Sequence, residues 1–500
     1  MNAGSGADPF AVSRQRFDSL CTVLEGEGAS GLEHSELEAR LDHDGRALLR
    51  QLMQDHLNLR ALQEQRLPDV RDVEDLAHTA LEADHRRCLT TIFGEVEVTR
   101  LAYRARGRAN LYPADAVLNL PAERHSHGLR RLAAVEAARG SYDESVEAIG
   151  RASGQQLGKR QVEQLAQRAA VDFDAFYATR HPVAGASSDL LVLSCDGKGV
   201  VMRPDALRRP TAAKAAAAAP KLASRLSRGE KRNRKRLAEL GAVYDATPAA
   251  RSPNDIMATG GEQDTEPAPG PVISNKWLTA SIVLDAAGVV AQIFDEAERR
   301  DPAHTRTWIT LVDGNNHQID RITTEARQRQ VPVTILIDFV HVIEYLWKAA
   351  WCFHDEGDRA VEAWVANKAR AILAGKATRV AGAVRRQATT AALSANRRTG
   401  ADTCATYLTN KAPHLDYPTA LADGWPIATG VIEGACRHIV ADRLDISGAR
   451  WGLAGAEAIL KLRALRSNAD FGDYWRFHLT QERHRVHETR YAHAALPAAA

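Results

Sequence analysis

The sequence predicts an α/β core, a mixed sheet with flanking helices. To it are joined a mainly α N-terminal region with a β-hairpin and a helix-turn-helix, and an α-helical insertion. Three observations carry this reading. Leu37, Leu41, Leu48, Leu52 and Leu59 recur at helical spacings through a charged N-terminal stretch. Short apolar runs bounded by turn residues, LLVLSCDGKGVVMR (190 to 203), TWITLVDGN (307 to 315) and VPVTILIDFVH (331 to 341), have the form of buried strands. The last two flank the helical HQIDRITTEARQRQ, so strand, helix and strand alternate, as in a sheet with parallel members.

Length and composition bound the answer. At 500 residues with 45% apolar content, the chain exceeds what one hydrophobic core supports. The predicted organisation is a helical N-terminal module at 1–85 and a β-hairpin with helix-turn-helix at 86–185. The first part of the α/β core follows at 186–341, then a helical insertion at 342–426, the remainder of the core at 427–480 and a tail at 481–500. Lys and Arg number 65 against 63 acidic residues, so the net charge of +2 names no partner and any electrostatic footprint is local. Six cysteines without a C-x-x-C pair argue against a zinc finger and against a disulfide framework, and fit a reducing cytoplasmic compartment. No apolar run approaches the roughly 20 residues needed to span a bilayer. MNAGSGADPF lacks the basic and apolar regions of a signal peptide, so a membrane is not an expected partner.

Within the N-terminal region, CLTTIFGEVEVTRLAYR alternates Val96 and Val98 with Glu95, Glu97 and Thr99, and Gly94 supplies the turn of a hairpin. Ser141 and Glu144 form a capping-box pattern opening SYDESVEAIGRA, and the turn ASG (152 to 154) leads to GKRQVEQLAQRAA. In a helix-turn-helix, Lys159, Arg160, Gln161 and Gln164 would offer donors to phosphates and base edges; the same pattern also fits an ordinary helical hairpin with a solvated basic end. The segment 203 to 235 holds 11 Lys and Arg, among them Arg232, Arg234 and Lys235, opposed only by Asp205 and Glu230. It reads equally as a solvated run and as a contact along a phosphate backbone. RLAELGAVYDATP (236 to 248) and WLTASIVLD (277 to 285) are two further strands, separated by an irregular loop at 250 to 275.

Three acids stand out by context. Asp196 and Asp313 lie at strand ends, and Glu433 lies on a helix in ATGVIEGACRHIVADRLDISGARWG (428 to 452). Two divalent ions about 3.5–4 Å apart suffice for phosphoryl transfer without a protein nucleophile, and hard cations such as Mg²⁺ take carboxylate oxygens. Small residues around Glu433 would let its helix approach the sheet, and Arg437, at i+4, would share its face and meet a phosphate; Arg443 and Arg450 add positive charge just beyond. The plainer alternative is that the aspartates cap Asp-Gly turns and that Glu433 pairs with Arg437.

LVLSCDGKGVV, LVDGNNHQI, LIDFVHVIEYLWKAAW and PIATGVIEGACRHIVADRLDISGARWGLAGAEAILKLRALRSN resemble the ISKra group of bacterial insertion-sequence transposases, as do LNLPAERHSHGLRRLAA and GKRQVEQLA. The likeness spans about residues 85 to 480. It implies a DDE transposase with an RNase H-like core, related to Mutator-like enzymes, which nicks the ends of a mobile element and transfers the strands. Two Mg²⁺ (or Mn²⁺) ions would be held by Asp196, Asp313 and Glu433. Double-stranded DNA, as terminal inverted repeats and target, would be the partner, with the protein a homodimer or larger on nucleoid DNA. The family's D-x-x-H signature, which lies between the second acid and the glutamate, matches Asp338-Phe-Val-His341. That makes Asp313 the second acid with Asp338 in reserve, and His341 an accessory group. The basic, loop-rich segment 203 to 275 departs from a compact RNase H-like domain. A structure-selective nuclease on the same fold and a DNA-binding regulator without catalysis are the competing readings.

Overall fold

The computed structural model describes residues 8–182, 185–218, 222, 224–225, 227, 233–257, 267–446 and 448–496. The chain divides into two compact units, Met1–Thr179 with Asp470–Ala500, and Arg180–Ala469. No helix among the described residues is long and apolar enough to cross a membrane. All six cysteines are free thiols.

In the first unit, α1 (Ala11–Glu25) and α2 (His34–Gln63) lead into the antiparallel hairpin β1 (Ala80–Thr91) and β2 (Gly94–Arg104). Gly94 turns the hairpin at φ +131°, and a Cβ there would sit 2.6 Å from Cδ of Arg50, so both backbone and space require glycine. Alternation buries Leu89, Val96 and Val98 against Leu57 and Leu120. Three helices follow, α3 (His127–Arg139), α4 (Tyr142–Ser153) and α5 (Lys159–Ala169), packed on one another. The capping box at α4 forms: Ser141 Oγ accepts from the Glu144 amide at 3.2 Å while Glu144 accepts from the Ser141 amide at 2.7 Å. Gly154, at φ +69°, ends the helix and turns the chain towards α5.

The expected core boundary at 480 and free tail at 481–500 give way to a helix, Phe471–Val486, that belongs to this first unit. The cause is a buried ionic network that sequence distance conceals. Arg130, wholly buried on α3, donates to Glu482 at 2.6 Å and pairs with Glu123. His478, equally buried, joins Arg130 at 3.1 Å to Asp172 at 2.7 Å, and Arg485 holds both Asp172 oxygens at 3.0 Å. The expected modules 1–85 and 86–185 likewise share this single unit up to Thr179.

The second unit is a five-stranded mixed sheet with helices on both faces. Its strands are β3 (Leu190–Val201), β4 (Lys235–Thr247), β5 (Val272–Ser281), β6 (Trp308–Val312) and β7 (Val333–Ile337), in the order β5-β4-β3-β6-β7. β3, β4 and β5 are antiparallel neighbours; β6 and β7 run parallel to β3. Every residue of β6 is buried, which is why its sequence is an uninterrupted apolar run. One face is covered by α6 (Ala286–Arg300), which comes so close that a Cβ on Gly241 would meet Ile293 at 2.4 Å. α7 (Asn316–Arg329) makes the crossover from β6 to β7.

Two expected boundaries move. The run 331 to 341 stays extended only to Ile337: Asp338 accepts from the Val340 amide at 2.9 Å and so caps α8 (Phe339–Ala350), which places His341 in a helix. The strand expected at 277 to 285 begins at Val272, inside the segment read as loop. From α8 the insertion continues through α9 (Ala360–Leu373), α10 (Ala377–Thr390) and α11 (Thr399–Asn410), with no strand among its described residues. The chain then returns to the sheet through α12 (Gly430–Ala435), a π-helical turn (Cys436–Ala441) and α13 (Leu453–Ser467), which packs on β5.

Removing one partner of a buried ion pair leaves the other charge stranded. Arg130→Met should therefore destabilise the first unit by about 3–5 kcal/mol in chemical denaturation. Arg485 and His478 hold Asp172 down to about 2 against its burial, and Glu123 and Glu482 are lowered with it by Arg130. Depressed carboxylates stabilise above their unfolded values, so this contribution should drain away as the pH falls from about 5 towards about 2.

Candidate active site

Asp313 and Asp338 directly follow β6 and β7, whereas Asp196, expected at a strand end, lies within β3, which runs on to Val201 because β4 pairs with it throughout. β3 and β6 are paired as far as Ser194↔Leu311, and β6 and β7 as far as Val312↔Ile337. Carrying these registers on by two residues and by one puts Asp196 level with Asp313, and Asp313 level with Asp338. Neighbouring strands lie about 4.8 Å apart, so three carboxylates spring from one row across the sheet edge.

Glu433 reaches that row from α12. Just ahead of the helix, Oγ1 of Thr429 lies 2.6 Å from Asp338 Oδ2 and 3.2 Å from Glu433 Oε1. A hydroxyl has one proton, so Thr429 donates to Asp338 at the shorter distance and lies beside Glu433 at the longer one, neutralising neither. Three residues after Glu433, Cys436 donates its thiol proton to Asp196 Oδ2 at 3.1 Å. The segment from Thr429 to Cys436 thus bridges the two outer aspartates. Behind the row, Tyr407 of the insertion donates to the backbone carbonyl of Asp313 at 3.1 Å and stacks on Tyr345 with ring centroids 3.9 Å apart.

The four acids differ in how far their oxygens are engaged. Asp338 is fully buried, and Val340 and Thr429 occupy one oxygen each. Asp196 is held by its neighbour's amide, Gly197 to Oδ1 at 2.7 Å, and by Cys436. Asp313, half-buried, accepts from the Asn315 amide at 2.8 Å. No ion pair among the described residues reaches any of the four. The result is a concentration of negative charge, acted on from farther off by Lys411 at Asp313 and by His341 at Glu433. Burial, and then the charge of Asp338, push Glu433 above the ordinary carboxylate value, while His341 on α8 pulls it back. Burial and Asp196 push the Cys436 thiol up, so it stays protonated and keeps donating.

Oxygen donors of this kind suit a hard divalent cation. Among the described residues, however, no three of the His, Cys, Asp and Glu side chains are gathered closely enough to enclose an ion.

Several expectations about surrounding residues change. Gly430 and Gly434 do not serve a close approach, since a Cβ on either would meet nothing within 4 Å; Ala435 and Cys436 make the buried contact instead. Arg437 is not paired with Glu433. The π turn adds a residue to the helical repeat, and Arg437 swings out, its side chain 85% exposed and 4.0 Å from Asp442. Arg443 is 2% exposed with its guanidinium 4.7 Å over the Trp451 ring, a packing position rather than a surface one. Arg450 is exposed, Arg234 half-buried, and Lys235 exposed beside Asp445 at 3.2 Å; Arg232 lies outside the described residues. Lys159, Arg160, Gln161 and Gln164 are all exposed along the start of α5, though Gln161 also caps it by accepting from the Gly158 amide at 2.8 Å.

Thr429 and Cys436 were not singled out in the sequence, yet the helical period offered a signal: they stand four before and three after Glu433. Glu239 carried none. It lies on β4 opposite Gly197, hence on the sheet face away from Asp196, and is 9% exposed. Burial lifts it to about 7, aided by the charge of Asp196 and opposed by Arg208.

A carboxylate raised in this way penalises the fold when ionised. The penalty is absent below its ordinary value and full above the raised one. Glu239→Gln should therefore stabilise the protein at about pH 8 by on the order of 2 kcal/mol, with the gain gone at about pH 4, as measured by urea unfolding at the two pH values.

No protein-family model matches the chain, and no curated protein matches it.

Proposed function

We propose that the protein is a DNA transposase of the DDE type, working by metal-dependent phosphoryl transfer on an RNase H-like core. The observation that carries this is the set of acids at Asp196 on β3 and just after β6 and β7, with Glu433 of α12 linked to Asp338 through Thr429. The strand order supports the core assignment: an antiparallel β3-β4-β5 half, the second acid following the fourth strand, then a helix and a fifth parallel strand. The resemblance to ISKra-type transposases supplies the reaction.

In this reading Asp196, Asp313 and Glu433 would have to draw together to hold two Mg²⁺ (or Mn²⁺) ions, whose chemistry would be activation of the attacking oxygen and stabilisation of the leaving one. Asp338 stays in reserve as the second acid; wholly buried, it holds the Val340 amide and Thr429, which lies between it and Glu433. Cys436 orients Asp196 in the same manner. His341, whose charge acts on Glu433, takes the accessory role that the resemblance implies, near the scissile phosphate or the metals. Lys159, Arg160 and Gln164 on α5 face solvent where donors for phosphates and base edges belong. Arg437, Arg450 and Lys235 offer positive charge on the second unit. Double-stranded element ends and target DNA are the substrates.

A strand-transfer assay on element-end DNA with Mg²⁺ tests the proposal. Wild type should give joined product, and Asp196→Asn or Glu433→Gln should reduce it on the order of a thousandfold or more while leaving DNA binding intact. Cut but never joined DNA would identify a nuclease instead, and binding without cleavage a regulator. Millimolar Mg²⁺ should also raise the melting temperature of the wild type and not that of Asp196→Asn.

A further inference from the structure

The turn that carries Asp313 receives little from the sheet. β6 makes its last pair at Val312, with Ile337, and Asp313, Gly314 and Asn315 lie between that pair and the start of α7. Within the turn the hold is local: the Asn315 amide donates to Asp313 at 2.8 Å, and the Asn315 side chain accepts from the His317 amide at 3.0 Å. Bonds between near neighbours shape a turn without fixing where it stands. The helical insertion supplies what they lack. Tyr407 on α11 donates to the Asp313 carbonyl at 3.1 Å, and comes so close that a Cβ on Gly314, at φ +91°, would sit 2.9 Å from its hydroxyl oxygen. Lys411, one turn on, is 8% exposed and donates from Nζ to Oδ1 of Asn316, the first residue of α7. Burying an ammonium against a neutral amide is costly, and the charges that act on it are those of Asp313 and Asp320.

The same segment grips the neighbouring turn. Tyr407 stacks on Tyr345 of α8, the helix that Asp338 caps, with ring centroids 3.9 Å and planes 14° apart. Beyond Lys411, Tyr417 donates at 2.8 Å to the carbonyl of Ile337, the last residue of β7, and its ring lies edge-on to Phe339 at 5.2 Å. We propose that Tyr407 and Lys411 are positioning residues, through which the insertion rather than the sheet sets where the Asp313 carboxylate stands relative to Asp338. Tyr407 acts through the main chain of Asp313, and Lys411 through the first residue of the helix that follows. The effect on DNA joining rests on the transposase reading; the hold on the turn does not.

Tyr407→Phe removes one hydroxyl and keeps the ring that stacks on Tyr345. Hydrogen–deuterium exchange of the full chain, read by mass spectrometry, should show the amides of residues 314–316 exchanging at least about tenfold faster in this variant, with α8 and α11 protected as in wild type. In the strand-transfer assay the same variant should lose about tenfold or more in kcat while KM for element-end DNA stays the same. Lys411→Met should behave alike, and Lys411→Arg, which keeps a donor for Asn316, should recover most of the loss. Unchanged exchange at the turn in Tyr407→Phe overturns the positioning role, because it shows no hold; loosening that spreads through α8 and α11 overturns it too, because it shows packing alone. A loosened turn with undiminished kcat also overturns it, and leaves the transposase reading standing. A wild type that joins no DNA sinks that reading instead, and exchange at residues 314–316 then decides the hold on the turn by itself.

Discussion

The parallel register of β3, β6 and β7 is the constraint on which the rest of the second unit depends. Parallel strands end on the same side of a sheet, so the turns that follow them gather there, and residues of equal register share a row. Asp313 and Asp338 directly follow the last pair of β6 and β7, and Asp196 lies two residues beyond the last pair of β3 with β6. Had β6 run antiparallel to β3, its terminal aspartate would stand at the far edge. The crossover α7 exists to make this parallel return, and α8 begins where β7 ends because Asp338 is at once a member of the row and the cap of a helix.

Both units pair buried acids with cations, as Asp245 with Arg306 and Glu296 with Arg300 show in the second. In the first, Asp172, Glu123 and Glu482 are each matched by Arg130, His478 or Arg485, and the network ties a distant helix into place. In the second, the row of four acids has hydrogen bonds but no counter-ion among the described residues. Within the row, Glu433 is raised by burial and by the charge of Asp338. The helix that bears it also departs from the regular repeat. Its π turn keeps Cys436 on Asp196 while releasing Arg437 to solvent, so the cation that an ideal helix would set beside Glu433 is removed from it.

Local chemistry was readable along the chain. The hairpin at Gly94, the capping box at Ser141 and the buried run of β6 follow from backbone freedom, side-chain capping and apolar continuity, each confined to a few neighbouring residues. Ends were harder. VPVTILIDFVH is apolar throughout, and a run of that kind does not announce where strand becomes helix; only the Asp338 cap does so. Lys235 and Arg450 read as surface charge and are exposed, whereas Arg443 reads the same way and is buried, because Trp451 folds back over it.

What the sequence by itself determined is the set of elements: which stretches extend, which coil, and that Asp313 and Asp338 stand just past two of the strands. Those properties arise from periodicity and from propensities that act within a turn or two. Tertiary structure alone decided which of those residues meet. The hydroxyl of Thr429 between two carboxylates, the thiol of Cys436 on Asp196, Glu239 on the opposite face, and the last helix bound to Arg130 are contacts between residues as much as 352 apart in the chain. They are set by sheet order, helix packing and buried charge, quantities that no window along the sequence contains.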